Sequence, residues 1–172
     1  YDQVVTVNGV SKSFAMTGWR LGYIGAPEWI ASACTKIQGQ FTSGASSISQ
    51  RAAIAAVSAD PSVTFEMRTA FLSRRELVLA ELNKIPGVKT NVPEGAFYVF
   101  PDVSSFFGKS DGTTVVSNAD DLSLYILNKV NVALVTGAAF GAPNCIRISY
   151  AASEKELREA LKRISEALLA LN

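Results

Sequence analysis

A chain of 172 residues, 48% of them hydrophobic, carries apolar material for one ordinary domain or for parts of two. Its formal charge of +1 leaves no electrostatic footprint for nucleic acid, and with no run of membrane-spanning length and no secretory leader visible, no membrane partner is expected either. The absence of histidine excludes Ser-His-Asp and Cys-His chemistry within the chain, while Cys34 and Cys145 lack metal-ligand or disulfide spacing, so a reducing cytoplasm and no metal site are expected.

Taken in chain order, Val4 to Val7 and Leu21 to Ile24 read as short β-type runs, each closed by glycine or proline. Pro27-Glu28 opens a helix through Ile30, Ala33, Cys34 and Ile37 that ends near Gly39. Thr42 to Ser47 is a loop that supplies an N-cap, followed by an alanine-rich helix from Ile48 to Val57. Asp60-Pro61 combines a capping residue with a proline at the first helical position. Beyond it Val63, Met67, Phe71, Val78, Leu82 and Ile85 recur at helical spacing, so one long amphipathic helix should run until Pro86-Gly87.

The second half alternates strands and helices. Val88 to Val92 and Ala96 to Phe100 flank Pro93-Glu94-Gly95 like a hairpin, and Ser104 to Asn118 reads as an exposed loop rich in Ser, Gly, Asp and Thr. A helix from Ala119 to Lys129 follows, then a strand from Val132 to Val135 and a last strand from Cys145 to Tyr150. Ser153-Glu154-Lys155-Glu156 is a capping box, and Leu157, Leu161, Ile164, Leu168 and Leu171 form the buried stripe of a closing helix. Mixed strands with helices packed on one side read as an α/β sandwich.

Lys12 is the residue with the most chemistry attached to it. The apolar run Val4-Val5-Thr6-Val7 before it and the mostly uncharged stretch after it would desolvate an ammonium ion and favour the neutral amine, a nucleophile toward aldehydes. Arg20 follows with a planar fork suited to a phosphate. A Schiff-base amine beside a phosphate anchor is what pyridoxal phosphate requires.

The whole run Gly9-Val10-Ser11-Lys12-Ser13-Phe14-Ala15-Met16-Thr17-Gly18-Trp19-Arg20-Leu21-Gly22 resembles the cofactor-attachment signature of class I aminotransferases, the aspartate-aminotransferase-like branch of the fold-type I pyridoxal-phosphate enzymes. The match takes in Gly9 and Ser11 before the lysine and Ala15 to Gly22 after it. The resemblance implies that Lys12 is the catalytic and cofactor-attaching lysine, that Arg20 anchors the cofactor phosphate, and that Ser11 is a hydroxyl able to touch it. It also implies the C-terminal part of a longer enzyme: residues 1–60 a remnant of the large cofactor domain, residues 61–172 a long connecting helix and a complete small domain. The full-length enzyme is expected to be a homodimer acting on amino-acid and 2-oxo-acid substrates, with the loop Thr42 to Ser47 near a partner subunit. In the family, the acid partner of the pyridinium nitrogen and the asparagine and tyrosine near the ring oxygen precede the cofactor lysine. They are expected outside this chain, so the chain alone should not transaminate.

Arg147 lies within Asn144-Cys145-Ile146-Arg147-Ile148-Ser149-Tyr150, where alternation puts Ile146, Ile148 and Tyr150 on one face and Cys145, Arg147 and Ser149 on the other. An arginine inside a strand this apolar must reach solvent at an edge or meet an anion, because an unpaired buried charge costs several kcal/mol. The residues alone favour an edge-strand ion pair. The resemblance reverses this, since similar enzymes carry an arginine in an Arg-x-Ser-Tyr-Ala context that grips the substrate α-carboxylate bidentately.

Phe97 and Tyr98 read better as hairpin core than as pocket lining, because strand aromatics are usually there for packing. Thr17 and Trp19 read as structural. Val135 to Gly141 resembles the family's glycine-bearing loop, with Thr136 where a proline commonly stands, which leaves the loop's rigidity open. Arg51, Arg68, Arg74, Arg75, Arg158 and Arg163 read as solvated or paired helix charges. Two other readings share these residues: an aminotransferase-like sensor domain of a transcription regulator, and a fold-type I lyase or synthase. Aspartate is favoured as donor, with aromatic amino acids and prephenate-type acceptors open.

Overall fold

A computed structural model describes residues 2–172 and divides the chain into two compact units, Tyr1–Glu66 and Met67–Asn172. The fold is α/β, and the division falls in the first turn of the long helix α3 (Phe65–Leu82).

The first unit holds an antiparallel pair, β1 (Thr6–Gly9) and β2 (Gly22–Gly25), and two helices, α1 (Glu28–Phe41) and α2 (Ser47–Ser58). Both strands sit one or two residues later than the apolar runs that announce them. The glycines at their paired ends, Gly9 and Gly22, are the reason the backbones can meet there. A Cβ on Gly9 would stand 3.2 Å from the Leu21 carbonyl oxygen, and one on Gly22 would stand 3.2 Å from that of Asn8. Ser46 occupies the N-cap position of α2, but its side chain makes no capping bond; Gln50 Nε2 instead donates to the Ala45 carbonyl. Asp60 caps as expected, accepting from the Ser62 amide at 2.9 Å, and hydrogen bonding from Ser62, its side chain first and then its amide, lowers the carboxyl pKa. The turn it opens is 3-10 (Pro61–Thr64) before α3 begins.

The second unit is built on a three-stranded sheet in the order β3 (Tyr98–Val99), β7 (Ile146–Ser149), β6 (Val135–Thr136). All its pairings are antiparallel. Helices α4 (Ala119–Val130) and α5 (Glu154–Leu169) bury Leu122, Tyr125 and Ile126, and Leu157, Leu161, Ile164 and Leu168, in one cluster with Val99, Ile146 and Ile148 from the sheet. The capping box at Ser153 is complete: Ser153 N–H donates to Glu156 Oε2 at 3.1 Å and Glu156 N–H to Ser153 Oγ at 3.3 Å.

Three expectations for this half need correction. Val88–Val92 and Ala96–Phe100 do not form a hairpin. Lys89 pairs with Asp102, and Tyr98–Val99 pairs with β7, where Val99 sits opposite the buried Ile148. Two-sided burial against a central strand outweighs a local turn. Ser104–Asn118 is not an exposed loop either. It contains the hairpin β4 (Lys109–Ser110) and β5 (Val115–Val116), and Phe106 and Val116 are core residues. Its polar residues serve the turn: Asp111 accepts from the Thr113 hydroxyl at 2.7 Å, from Lys129 Nζ at 2.9 Å and from the amides of Thr114 and Thr113, which pulls its carboxyl far below the usual carboxylate range. Finally, the long helix α3 ends at Leu82 and is buried only in its last turns, at Val78, Leu79 and Leu82, while Val63 and Leu72 are exposed.

Candidate active site

The register of the β1–β2 pair decides where the cofactor-type residues lie. Gly9 faces Gly22, so residues 10–21 form one closed connection, and Ser11, Lys12 and Arg20 are all carried on it. Val10, fully buried, pins the start of the connection. Backbone bonds from Ala15 N–H to the Lys12 carbonyl and from Met16 N–H to the Val10 carbonyl then wind it into a turn. A 3-10 turn (Thr17–Trp19) follows, and Arg20 ends it in the left-handed conformation at φ 51°. There Arg20 Nη1 donates to the Thr17 carbonyl at 2.9 Å, which fixes one arm of the fork.

The desolvation argument for Lys12 does not hold within these residues. Lys12 is exposed, and its flanks Val4, Val5 and Val7 are exposed too, Val7 by 75%. Val4 and Val5 precede β1 and Val7 lies on it with an open face, so apolar neighbours in sequence do not become apolar surroundings. Ser11 is half-buried and Arg20 exposed. An amine, a hydroxyl and a guanidinium on one short connection form a donor set that fits an aldehyde-bearing phosphate.

Arg147 belongs to the other unit. Its strand β7 is the central one, paired on both sides, so the edge-strand reading is overturned. The alternation is as expected: Ile146, Ile148 and Tyr150 are buried, and Arg147 is half-buried on the opposite face. Among the described residues, no carboxylate pairs with it. Its guanidinium carbon lies instead 4.4 Å from the Tyr98 ring centroid and 4.3 Å from that of Phe140. Cation–π contact of this kind holds an arginine without neutralising it.

Tyr98 is therefore not hairpin core, while Phe97 does pack against the core. Strand register could have placed Tyr98: it faces Ser149, which shares the Arg147 face. No sequence signal points to Phe140, which arrives from a 3-10 turn (Gly137–Phe140) directly after β6. The rigidity left open by Thr136 is settled here. Thr136 holds φ at −61°, a value proline would have, and its hydroxyl accepts from Ala138 N–H at 3.3 Å. Gly137 N–H donates to the Cys145 carbonyl at 2.7 Å, and a Cβ at Gly137 would collide with the carbonyls of Ala142 and Cys145.

The remaining candidates are placed simply. Arg75 pairs with Glu76 at 2.6 Å and donates to the Pro93 carbonyl, and Arg163 pairs with Glu159 at 2.7 Å. Among the described residues, no group of three His, Cys, Asp or Glu could hold a metal and no helix is long and apolar enough to cross a membrane.

The model of the aminotransferase class I and II family matches residues 1–164. A bifunctional aspartate aminotransferase and glutamate/aspartate-prephenate aminotransferase of Petunia hybrida is 50% identical over 99% of this chain, which spans 36% of that relative. The crystal structure of an aspartate aminotransferase from Rhizobium meliloti superposes with a TM-score of 0.95 at 44% identity, over 99% of this chain and 43% of that one. An aromatic aminotransferase from Pyrococcus horikoshii gives 0.86 at 38% identity, over 98% and 43%. The chain thus covers well under half the length of the proteins it is similar to.

Proposed function

Because the chain belongs to the aminotransferase class I and II family, we propose that it forms the C-terminal portion of a pyridoxal-phosphate-dependent aminotransferase. In this reading the full-length enzyme takes an amino group from an aspartate-like amino acid and passes it to a 2-oxo acid by a ping-pong route, as a homodimer. The observation that carries the reading is the Gly9–Gly22 register, which closes Ser11, Lys12 and Arg20 into one connection.

Lys12 would hold pyridoxal phosphate through its amine, Arg20 would bind the phosphate with the donors Thr17 leaves open, and Ser11 would add a hydroxyl. When bound, the cofactor supplies an electron sink for the carbanion left at the substrate Cα. Lys12 Nζ would be the base that takes the Cα proton. Arg147 fixes the α-carboxylate with its planar fork, which sets the orientation of the Cα–H bond. Residues 1–60 then belong to a larger cofactor domain, and residues 61–172 to a connecting helix and small domain.

An amino-group exchange assay on the full-length protein tests this. Aspartate and a 2-oxo acid should give the exchanged pair with parallel-line kinetics, and prephenate should be tried as acceptor because several relatives bear that name. Turnover of the amino acid independent of any 2-oxo acid would favour the lyase or synthase reading instead.

A further inference from the structure

We propose that Tyr98 and Phe140 are positioning residues for Arg147, an aromatic clamp that holds its guanidinium in place and edge-open for a substrate carboxylate. This rests on the carboxylate role of Arg147 stated above, and adds how that role is made possible.

The two rings reach the guanidinium from opposite neighbours of β7. Tyr98 is on β3 and Phe140 follows β6, at 4.4 and 4.3 Å from the guanidinium carbon. They make no ring–ring contact with one another among the described residues, and each has its own contact with the guanidinium. Each ring is itself backed by another. Phe97 lies 4.5 Å from Tyr98, and Phe100 meets Phe140 edge-on at 6.0 Å and 84°. Phe71 on α3 extends the row at 5.8 Å from Phe97.

A guanidinium has five N–H donors in one plane and a π-face on each side. A ring set against a face of a guanidinium leaves its in-plane edge open, which is the direction a bidentate carboxylate needs. A carboxylate partner from the protein would fix the side chain equally well, but would compete with the substrate and cancel its charge. Rings do neither. The hydrogen-bonded turn at Gly137 and the central strand keep both sides of the clamp at fixed spacing.

The test uses the full-length enzyme carrying Tyr98→Leu, Phe140→Leu or both. Each single variant should raise the amino-acid KM about two- to thirtyfold, with kcat and cofactor retention preserved. The half-reaction with an amine lacking the α-carboxylate should not change, and Tyr98→Phe and Phe140→Tyr should behave like the parent. Phe140 is 49% exposed, so Phe140→Leu does not threaten folding and carries the test even where Tyr98→Leu fails to fold. An unmoved KM, or an equal loss with the carboxylate-free amine, overturns the clamp. Arg147→Ala run alongside separates the two claims. If it raises KM and the ring variants do not, only the clamp falls; if it leaves KM normal, the carboxylate role itself falls.

Discussion

The two units of this chain solve the burial problem to very different degrees. In Met67–Asn172, sheet and helices share one cluster in which Leu82, Leu122, Ile126, Ile146, Ile164 and Leu168 are almost wholly buried. Among the described residues of the first unit only Val10, Ala53 and Ser49 are buried, while Trp29 and Phe41 are 70% and 83% exposed. Two paired strands and two helices cannot enclose a core, so apolar residues there remain surface. The difference teaches that similar local patterning does not yield similar packing. What an amphipathic element buries depends on whether a second layer faces it.

The largest effect is expected where the open unit carries chemistry. Lys12→Ala in the full-length enzyme should lower kcat by at least about 10²–10⁴-fold, the range for a lost general base alone. Arg147→Ala should instead act on amino-acid KM, with a loss of about 2–5 kcal/mol from an unpaired carboxylate, and Arg147→Lys should recover little. Steady-state kinetics on the two variants shows whether cofactor and carboxylate functions divide between the units.

Core truncation should separate the units next. Leu122→Ala or Ile164→Ala should cost about 2–5 kcal/mol of unfolding free energy, read from denaturant unfolding of the isolated chain. Phe41→Ala in the same chain should stay within about 0.5 kcal/mol, as for other exposed positions. A large cost at Phe41 would mean that its surface is already covered. Hydrogen exchange should agree, with slow amides in β7 and α5 and faster ones in β1 and β2.

Smaller effects come from caps and charges. Ser153→Ala should cost about 1 kcal/mol by breaking the capping box. Acid should act chiefly on the closed unit. Asp102, Asp111 and Glu156 there, and Asp60 in the other unit, are all held below their ordinary pKa, mainly by hydrogen bonds from Ser104, Thr113, Ser153 and Ser62 respectively. A carboxyl lowered by folding contributes stability that is complete above its unfolded pKa, near 4, and is lost as pH falls through the folded value. The melting temperature should therefore be flat from about pH 7 to 5 and fall below about pH 4. Lys129, raised by its bond to Asp111, works in the other direction, contributing below its unfolded pKa and losing that contribution in strong base.

Legibility in the sequence follows the range of the forces involved. Helix α5 is the most legible element, because its capping box and its apolar stripe are neighbours along the chain and need no distant partner to be recognised. The Lys12 segment could be matched to a family because its chemistry is contiguous. Pairings decided by remote strands could not be read: Val99 chose Ile148 over a local hairpin, and Phe106 and Val116 dropped into the core from a stretch with a polar average. The apolar flanks of Lys12 misled for the same reason, since exposure is set by layers rather than neighbours. Tyr98 and Phe140 reach Arg147 only once β3, β6 and β7 are assembled.

The most direct measurement is borohydride reduction of the full-length protein loaded with pyridoxal phosphate, followed by peptide mass mapping. The expected result is a single pyridoxyl label on the peptide containing Lys12, reduced in amount by Arg20→Ala through weaker cofactor retention. A label on Lys36, Lys84, Lys155 or Lys162, or no label at all, would contradict the assignment of this chain as the cofactor-attaching part of an aminotransferase.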